Sequence, residues 1–150
     1  MNIPDITAFR QKGLFWLRCL LFLNAAIAVL ATFAADTPLV PVACAALVLL
    51  VLGWLALSKA TVSGTWRCVA AVALLGQVMV FVGAMAGHPM QVDAHMLFFA
   101  TLGILILLVD FRAVIAGAAA VAVHHIVLNF ALPSLVYPGG ADLARLAMHA

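Results

Sequence analysis

The chain contains no glutamate, and its charged residues of every kind make up only 8% of 150 positions. With 68% hydrophobic content and a mean hydropathy of +1.27, too few polar side chains exist to cover a folded surface in water. A water-soluble globule is thereby excluded, and so is a separate soluble domain. Also missing are a Gly-x-Ser-x-Gly elbow, a Gly-rich phosphate loop and an HExxH pair, so the chain is expected not to be an enzyme. The few cysteines, Cys19, Cys44 and Cys68, show no C-x-x-C spacing and are expected as small apolar residues buried within the spans. A formal net charge of +2 is too modest to imply nucleic acid as a partner. No small-residue cleavage site follows the first apolar run, which therefore reads as a retained span rather than a signal peptide.

What the chain has in abundance is long apolar runs, and a spanning helix needs roughly 20 such residues. Helices are expected at 13–35, 38–57, 65–87, 91–109 and 113–132, with a sixth starting near Asp142. Ala150 falls about eight residues into that last helix, far short of a full span, so the sixth is expected to be truncated. The expected fold is all-α: a polytopic membrane helix bundle of five transmembrane helices plus the start of a sixth. Residues 1–12 form a cytoplasmic N-terminal segment, and 13–150 form the bundle. With the N-terminus inside, Arg10, Lys12, Arg18, Lys59, Arg67 and Arg112 all lie on the cytoplasmic side, and only Arg145 lies outside. Arg18 is expected to snorkel to the inner headgroups, and mid-span Asn24 and Gln77 to hydrogen-bond between helices.

That orientation places every histidine in the outer half. His88 and His95 flank the third-to-fourth connection, His124 and His125 lie in the fifth helix, and His149 lies in the sixth. At ~1.5 Å rise per residue, His95 stands ~21 Å above the inner end of its helix, His125 ~18 Å above Ala113, and His149 near ~20 Å. Gln91 and His95 are i,i+4 neighbours, as are His125 and Asn129, so each pair shares one helical face. Asp93 points roughly 200° away from His95 and suits a helix cap or a contact with a neighbouring helix.

Ionisable side chains at such depth normally face the bundle and find partners. Neutral imidazole is the commonest metal donor, so His95, His125, His149 and His124 are the candidate ligands of a metal ion, copper or zinc. Gln91, Asp93, Asn129 and His88 would form the supporting shell, and Met90 and Met96 are candidate soft copper donors. Two of His95, His125 and His149 could instead ligate haem b from either side, the small-residue run AVIAGAAAVAV leaving room for a porphyrin. The same run also suits close helix packing. A third possibility is a structural or small-solute-binding module in which the histidines satisfy one another.

The stretches GHPMQVDAHMLFFATLG (87–103), VDFRAV (109–114), AVHHIVLNFALPSLVYPGG (122–140) and ADLARLAMHA (141–150) resemble the multi-pass N-terminal membrane region of a group of bacterial methyl-accepting chemotaxis proteins and related signal transducers. The resemblance covers about the last 65 residues, the rest being similar in hydropathy alone. The family pattern has an aromatic where this chain has Met90, a tyrosine at Leu97 and a tryptophan at Phe111. The resemblance implies a sensory input region in the bacterial inner membrane, with Gln91, Asp93, His95, His124, His125, Asn129 and His149 at the matching polar positions. It also implies a homodimer and a cytoplasmic signalling domain outside this chain, with the lipid bilayer as its surroundings.

Overall fold

The computed structural model describes residues 3–137, 141, 143 and 144, and every regular element among them is helical. Helix α1 spans Ile3–Ala35, α2 Leu39–Lys59 and α3 Gly64–Ala84. A four-residue α4 (Gln91–Ala94) and α5 (Met96–Ile104) follow, then a 3₁₀ turn over Leu105–Leu108, α6 (Phe111–Ala131) and a second 3₁₀ turn over Pro133–Leu135. Five stretches are long and apolar enough to cross a membrane: Ile6–Ala35, Leu39–Lys59, Gly64–Ala84, Gln91–Leu108 and Phe111–Ala131. Large apolar side chains such as Trp16, Phe33, Val40 and Phe130 stand on the outside of the bundle. Water penalises such a surface and hydrocarbon accommodates it.

Helix α3 is the central post, packed against α1, α2, α5 and α6, and its Ala70, Leu74, Leu75, Gln77, Val78 and Val82 are buried. In α1 the buried positions Leu14, Leu17, Leu21, Ala25, Ala28 and Ala31 recur at three- and four-residue steps, one face turned inward. In α6 they are Ala113, Gly117, Val121, His125 and Asn129, a single stripe at four-residue intervals. Its lower part is small because helices close in there. A Cβ on Gly117 would lie 2.6 Å from Leu75 Cδ1 and 3.1 Å from Leu105 Cδ1. The small-residue run thus serves helix packing.

The two ends of the bundle differ. One end, the basic end, holds Arg10, Lys12, Arg18, Lys59, Arg67 and Arg112, together with all three tryptophans. There the chain reverses from the fourth apolar stretch into α6 within Val109 and Asp110. Val109 adopts φ +51°, a left-handed conformation costly for a β-branched residue. Surrounding bonds hold it: Arg10 Nε donates to Leu108 O at 3.0 Å, and Arg67 Nε pairs with Asp110 Oδ2 at 2.7 Å. Asp110 Oδ1 also caps α6 by accepting from Arg112 N at 3.0 Å. Burial alone would raise the Asp110 carboxyl, but the Arg67 hydrogen bond, the Arg112 amide and both guanidinium charges outweigh it and hold the group below its ordinary range. Lys59 Nζ sits 4.7 Å over the Trp66 ring. At the other end, the histidine end, Thr37 Oγ1 donates to Ala84 O at 2.7 Å, tying the start of α2 to the end of α3.

Several details depart from the sequence expectation. The first helix starts at Ile3 rather than Gly13, since Pro4 falls in its first turn, where a missing N–H costs nothing. The fourth apolar stretch is broken at His95 and Leu105 instead of running straight over 91–109. Cys19 and Cys44 are exposed and Cys68 half-buried, all three reduced, so these residues lie in the spans without joining the core. Thiol is apolar enough to face hydrocarbon. Arg18 is half-buried at the basic end. Its Nη2 donates to Leu57 O at 3.2 Å and its guanidinium lies 5.4 Å from the Trp54 ring centroid. Gln77 does bond between helices, its Nε2 donating to Ala46 O at 2.8 Å.

Two glycines in this frame have opposite surroundings. A Cβ on Gly13 would lie 2.8 Å from Leu107 O and 2.9 Å from Leu107 Cβ, whereas one on Gly103 would meet nothing within 4 Å. Gly13→Ala is expected to destabilise the protein by ~1–3 kcal/mol through overpacking against a backbone that cannot give. Gly103→Ala is expected to be neutral or stabilising, by up to ~1 kcal/mol of helix propensity. Thermal unfolding of both variants in the same detergent checks the contrast, and equal midpoints would contradict the packing of α1 on Leu107.

Candidate functional site

The histidine end is assembled from the turn after α3. Gly87, at φ +78°, reverses the chain, and Gln91 N then donates to His88 O at 2.9 Å to start α4. Gln91 is fully buried. Its Nε2 donates to Ser134 O at 3.0 Å and Val82 O at 3.4 Å, and its Oε1 accepts from Gly87 N at 3.4 Å. One side chain therefore joins the end of α3, the start of α4 and the 3₁₀ turn that follows α6.

The break at His95 has a chemical consequence. His95 N bonds to Val92 O, three residues back, at 3.2 Å. The Gln91 carbonyl, which a regular ladder would assign to His95 N, instead accepts from His95 Nδ1 at 2.9 Å. On α6, Val121 O likewise accepts from His125 Nδ1 at 2.8 Å, again four residues back. A carbonyl only accepts, so both Nδ1 atoms carry the proton. Both imidazoles are buried, His95 at 4% exposure and His125 at 1%.

The rings stand close together although they come from different helices. The His95 and His125 centroids are 5.6 Å apart, and Phe98 lies 5.8 Å from the first and 5.4 Å from the second. Tyr137 lies parallel to His95 at 5.9 Å, with 6° between the planes, and 6.3 Å from His125. His124 meets His125 edge-on at 5.3 Å and Phe98 at 6.0 Å, and its buried Nε2 has no hydrogen-bond partner among the described residues. Beside the pair lies a cavity of about 130 Å³ lined by His95, Phe98, Phe99, Leu102, Val121 and His125. Engineered cavities of about 150 Å³ take up a benzene-sized guest, so this space suits an ion with a small co-ligand better than a porphyrin.

The structure thus brings His95, His124 and His125 together with Gln91, and places Asn129, fully buried, one turn beyond His125 on the same face. It does not bring in the rest of the described candidates. His88 is half-buried in its turn, where Nδ1 accepts from Met90 N at 3.2 Å. Asp93 is exposed in the first turn of α4, without a side-chain capping bond there. Met90 and Met96 are both 57% exposed, turned away from the rings. His149, Asp142 and Arg145 lie outside the described residues. Among the described residues, no group of three or more His, Cys, Asp or Glu is gathered to hold a metal ion. Phe98, Tyr137 and the Gln91–Ser134 link are members of the site that sequence reasoning missed. Tyr137, the one tyrosine of the chain, offered a signal by sitting in a Pro/Gly loop.

No protein family, no curated protein and no solved structure matches this chain.

Gln91→Leu keeps the volume and removes the amide, leaving the Ser134 carbonyl without its donor. The expected cost is ~1–3 kcal/mol, the usual consequence of orphaning a buried acceptor. Hydrogen exchange should rise selectively at the amides of Leu135, Val136 and Tyr137 while the middle of α6 stays protected. Unchanged exchange in that turn would show that Gln91 does not hold it.

Proposed function

We propose that this chain is a sensory input module of a chemoreceptor-like signal transducer, embedded in the bacterial inner membrane with its N-terminus in the cytoplasm. Its stimulus is a transition-metal ion, copper before zinc, received by His95 and His125. The observation that carries this reading is the shared arrangement of two neighbouring rings: each buried, each with Nδ1–H donated to the carbonyl four residues back, their centroids 5.6 Å apart. Metal-binding histidines are held in this way, because the second-shell bond fixes both tautomer and ring direction. At Zn–N or Cu–N distances of ~2.0–2.1 Å, two rings sharing one ion have centroids about 5–6 Å apart, a range that includes 5.6 Å. Two imidazoles fall short of the three or four protein ligands zinc prefers, whereas monovalent copper needs only one further ligand for a bent, three-coordinate site that fits the 5.6 Å spacing, and this ranks copper first. His149 is the further donor that the sequence offers.

An ion shared by His95 and His125 would bind the arrangement in which α4 and α6 stand closest, and so shift the bundle toward it. The change would reach the chain after α6 through Gln91 on Ser134 and Tyr137 against His95. Output belongs to a cytoplasmic signalling region, with the module acting as a homodimer.

Detergent-purified protein loaded with copper(I) or zinc is expected to retain close to one equivalent after desalting. His95→Gln and His125→Gln should lose it, and His88→Gln should keep it. A folded wild-type protein that retains no metal at micromolar loading would refute the metal reading.

The orientation has its own support and test. Six of seven basic residues, and all three tryptophans, fall at the end assigned to the cytoplasm. A reporter active only in the cytoplasm should work when fused after Lys59 or Asp110 and stay silent after Asp36 or Gly87. The reverse pattern would invert the module and place the histidines on the inner side.

A further inference from the structure

The basic end carries chemistry that the histidine site does not use. Six cations, Arg10, Lys12, Arg18, Lys59, Arg67 and Arg112, belong to this end, where Asp110 is the one carboxylate among the described side chains. Three of the guanidinium groups belong to the Val109–Asp110 turn. Arg10 donates to Leu108 O and Val109 O at 3.0 and 3.4 Å, Arg67 holds Asp110, and the Arg112 guanidinium stands 5.9 Å over the Phe111 ring. Arg10 and Arg67 are spent on the fold. Arg112 and Lys12 are exposed, and neither forms a salt bridge among the described residues.

Directly beside this turn, between the starts of α1 and α6, runs a groove of about 440 Å³ walled by Ile6, Phe9, Ile106, Val109, Phe111 and Val114, with Asp110 at its edge. Phe9, Ile106 and Phe111 are half or more exposed, so the groove opens on the outside of the bundle. Lys12 follows Phe9 by three residues on α1, and Arg112 adjoins Phe111, so a cation flanks each wall. Apolar walls beside a surplus of positive charge fit a molecule with a hydrocarbon tail and an anionic head. A free inorganic anion would leave the walls unused. A zwitterionic headgroup would leave the surplus charge uncompensated.

We propose that this groove binds an anionic phospholipid, one acyl chain lying along Phe9, Ile106, Phe111 and Val114 and the headgroup phosphate meeting Arg112 and Lys12. The bound lipid braces the turn that joins the fourth apolar stretch to α6, adding to the hold of Arg10 and Arg67. This site is separate from the histidine pair and does not depend on its function.

The experiment uses the full chain in a neutral detergent, titrated with phosphatidylglycerol or phosphatidylcholine in mixed micelles, with the thermal midpoint and lipid retention by native mass spectrometry as readouts. Phosphatidylglycerol is expected to raise the midpoint saturably and to remain bound as a single molecule, and phosphatidylcholine to do neither. Arg112→Gln and Lys12→Gln should each weaken the apparent affinity about five-fold, the effect of one basic residue near an anionic surface. Lys59→Gln, whose ammonium rests over Trp66 away from the groove, should leave it unchanged. Val114→Trp fills the groove without altering charge and should also abolish retention. Lys12 is exposed and forms no salt bridge among the described residues, so Lys12→Gln should match the wild-type midpoint without lipid, whereas Arg112→Gln also loses a charge beside Asp110 and is compared by its lipid-induced shift from its own lipid-free midpoint. Equal response to phosphatidylcholine, an unweakened Arg112→Gln variant, or the same stabilisation from inorganic phosphate alone would each overturn the proposal.

Discussion

A polar group buried among apolar side chains has no water to bond to, and this one constraint shapes much of the molecule. Several polar side chains within the apolar stretches turn back onto backbone carbonyls. Gln77 reaches Ala46 O across the α2–α3 interface, Arg18 reaches Leu57 O, and Thr32 folds onto Val29 O at 2.7 Å. The histidines obey the same rule, His95 on Gln91 O and His125 on Val121 O. In water such bonds would compete with solvent and leave the rings free to turn. Here the carbonyls define both the tautomer and the direction of each ring. A constraint that first serves folding thereby also sets how each ring is held.

The stripe on α6 shows how packing and site are parts of one pattern. Ala113 and Gly117 permit a close approach to Leu75 and Leu105, Val121 fills the middle, and His125 and Asn129 continue the same face at the histidine end. Because the step is four residues throughout, the small residues that seat α6 against α3 also determine where His125 points. His124, one residue earlier, is turned about 100° away and meets Phe98 and His125 only at its edge. Adjacent histidines in the sequence therefore hold different positions in the fold.

Much of this architecture is legible in the sequence, for identifiable reasons. Apolar run length locates the five stretches, and four-residue spacing puts Gln91 with His95 and His125 with Asn129, because both signals depend only on helix geometry. Depth counted along the helices brings His95 and His125 to a common level. What spacing could not supply is the angular position of residues near a helix break. Met90 and Met96 stand outward on either side of the step from four- to three-residue bonding at His95, and no composition signal marks that step. The outward-facing Cys19 and Cys44 were illegible for another reason. In a membrane protein, an apolar residue suits either the core or the outer face, so hydrophobicity ceases to report burial. Tyr137 and Ser134 act through a loop whose course depends on tertiary contacts, chiefly the Gln91 amide.

The two ends of the bundle also differ in how firmly they are fixed. At the basic end, Arg10, Arg67 and the Asp110 cap surround a two-residue reversal whose left-handed Val109 persists because its neighbours over-determine it. At the histidine end, α4 has four residues, too few to sustain itself by its own ladder, and it depends on the Gln91 side chain and the packing of Ala94 and His95. A ligand that drew His95 toward His125 would work against few main-chain bonds on the α4 side and against a full helix seated on Leu75 on the α6 side. Movement would then fall on α4 and, through Gln91 and Tyr137, on the chain beyond α6, while the basic end kept its place as the pivot.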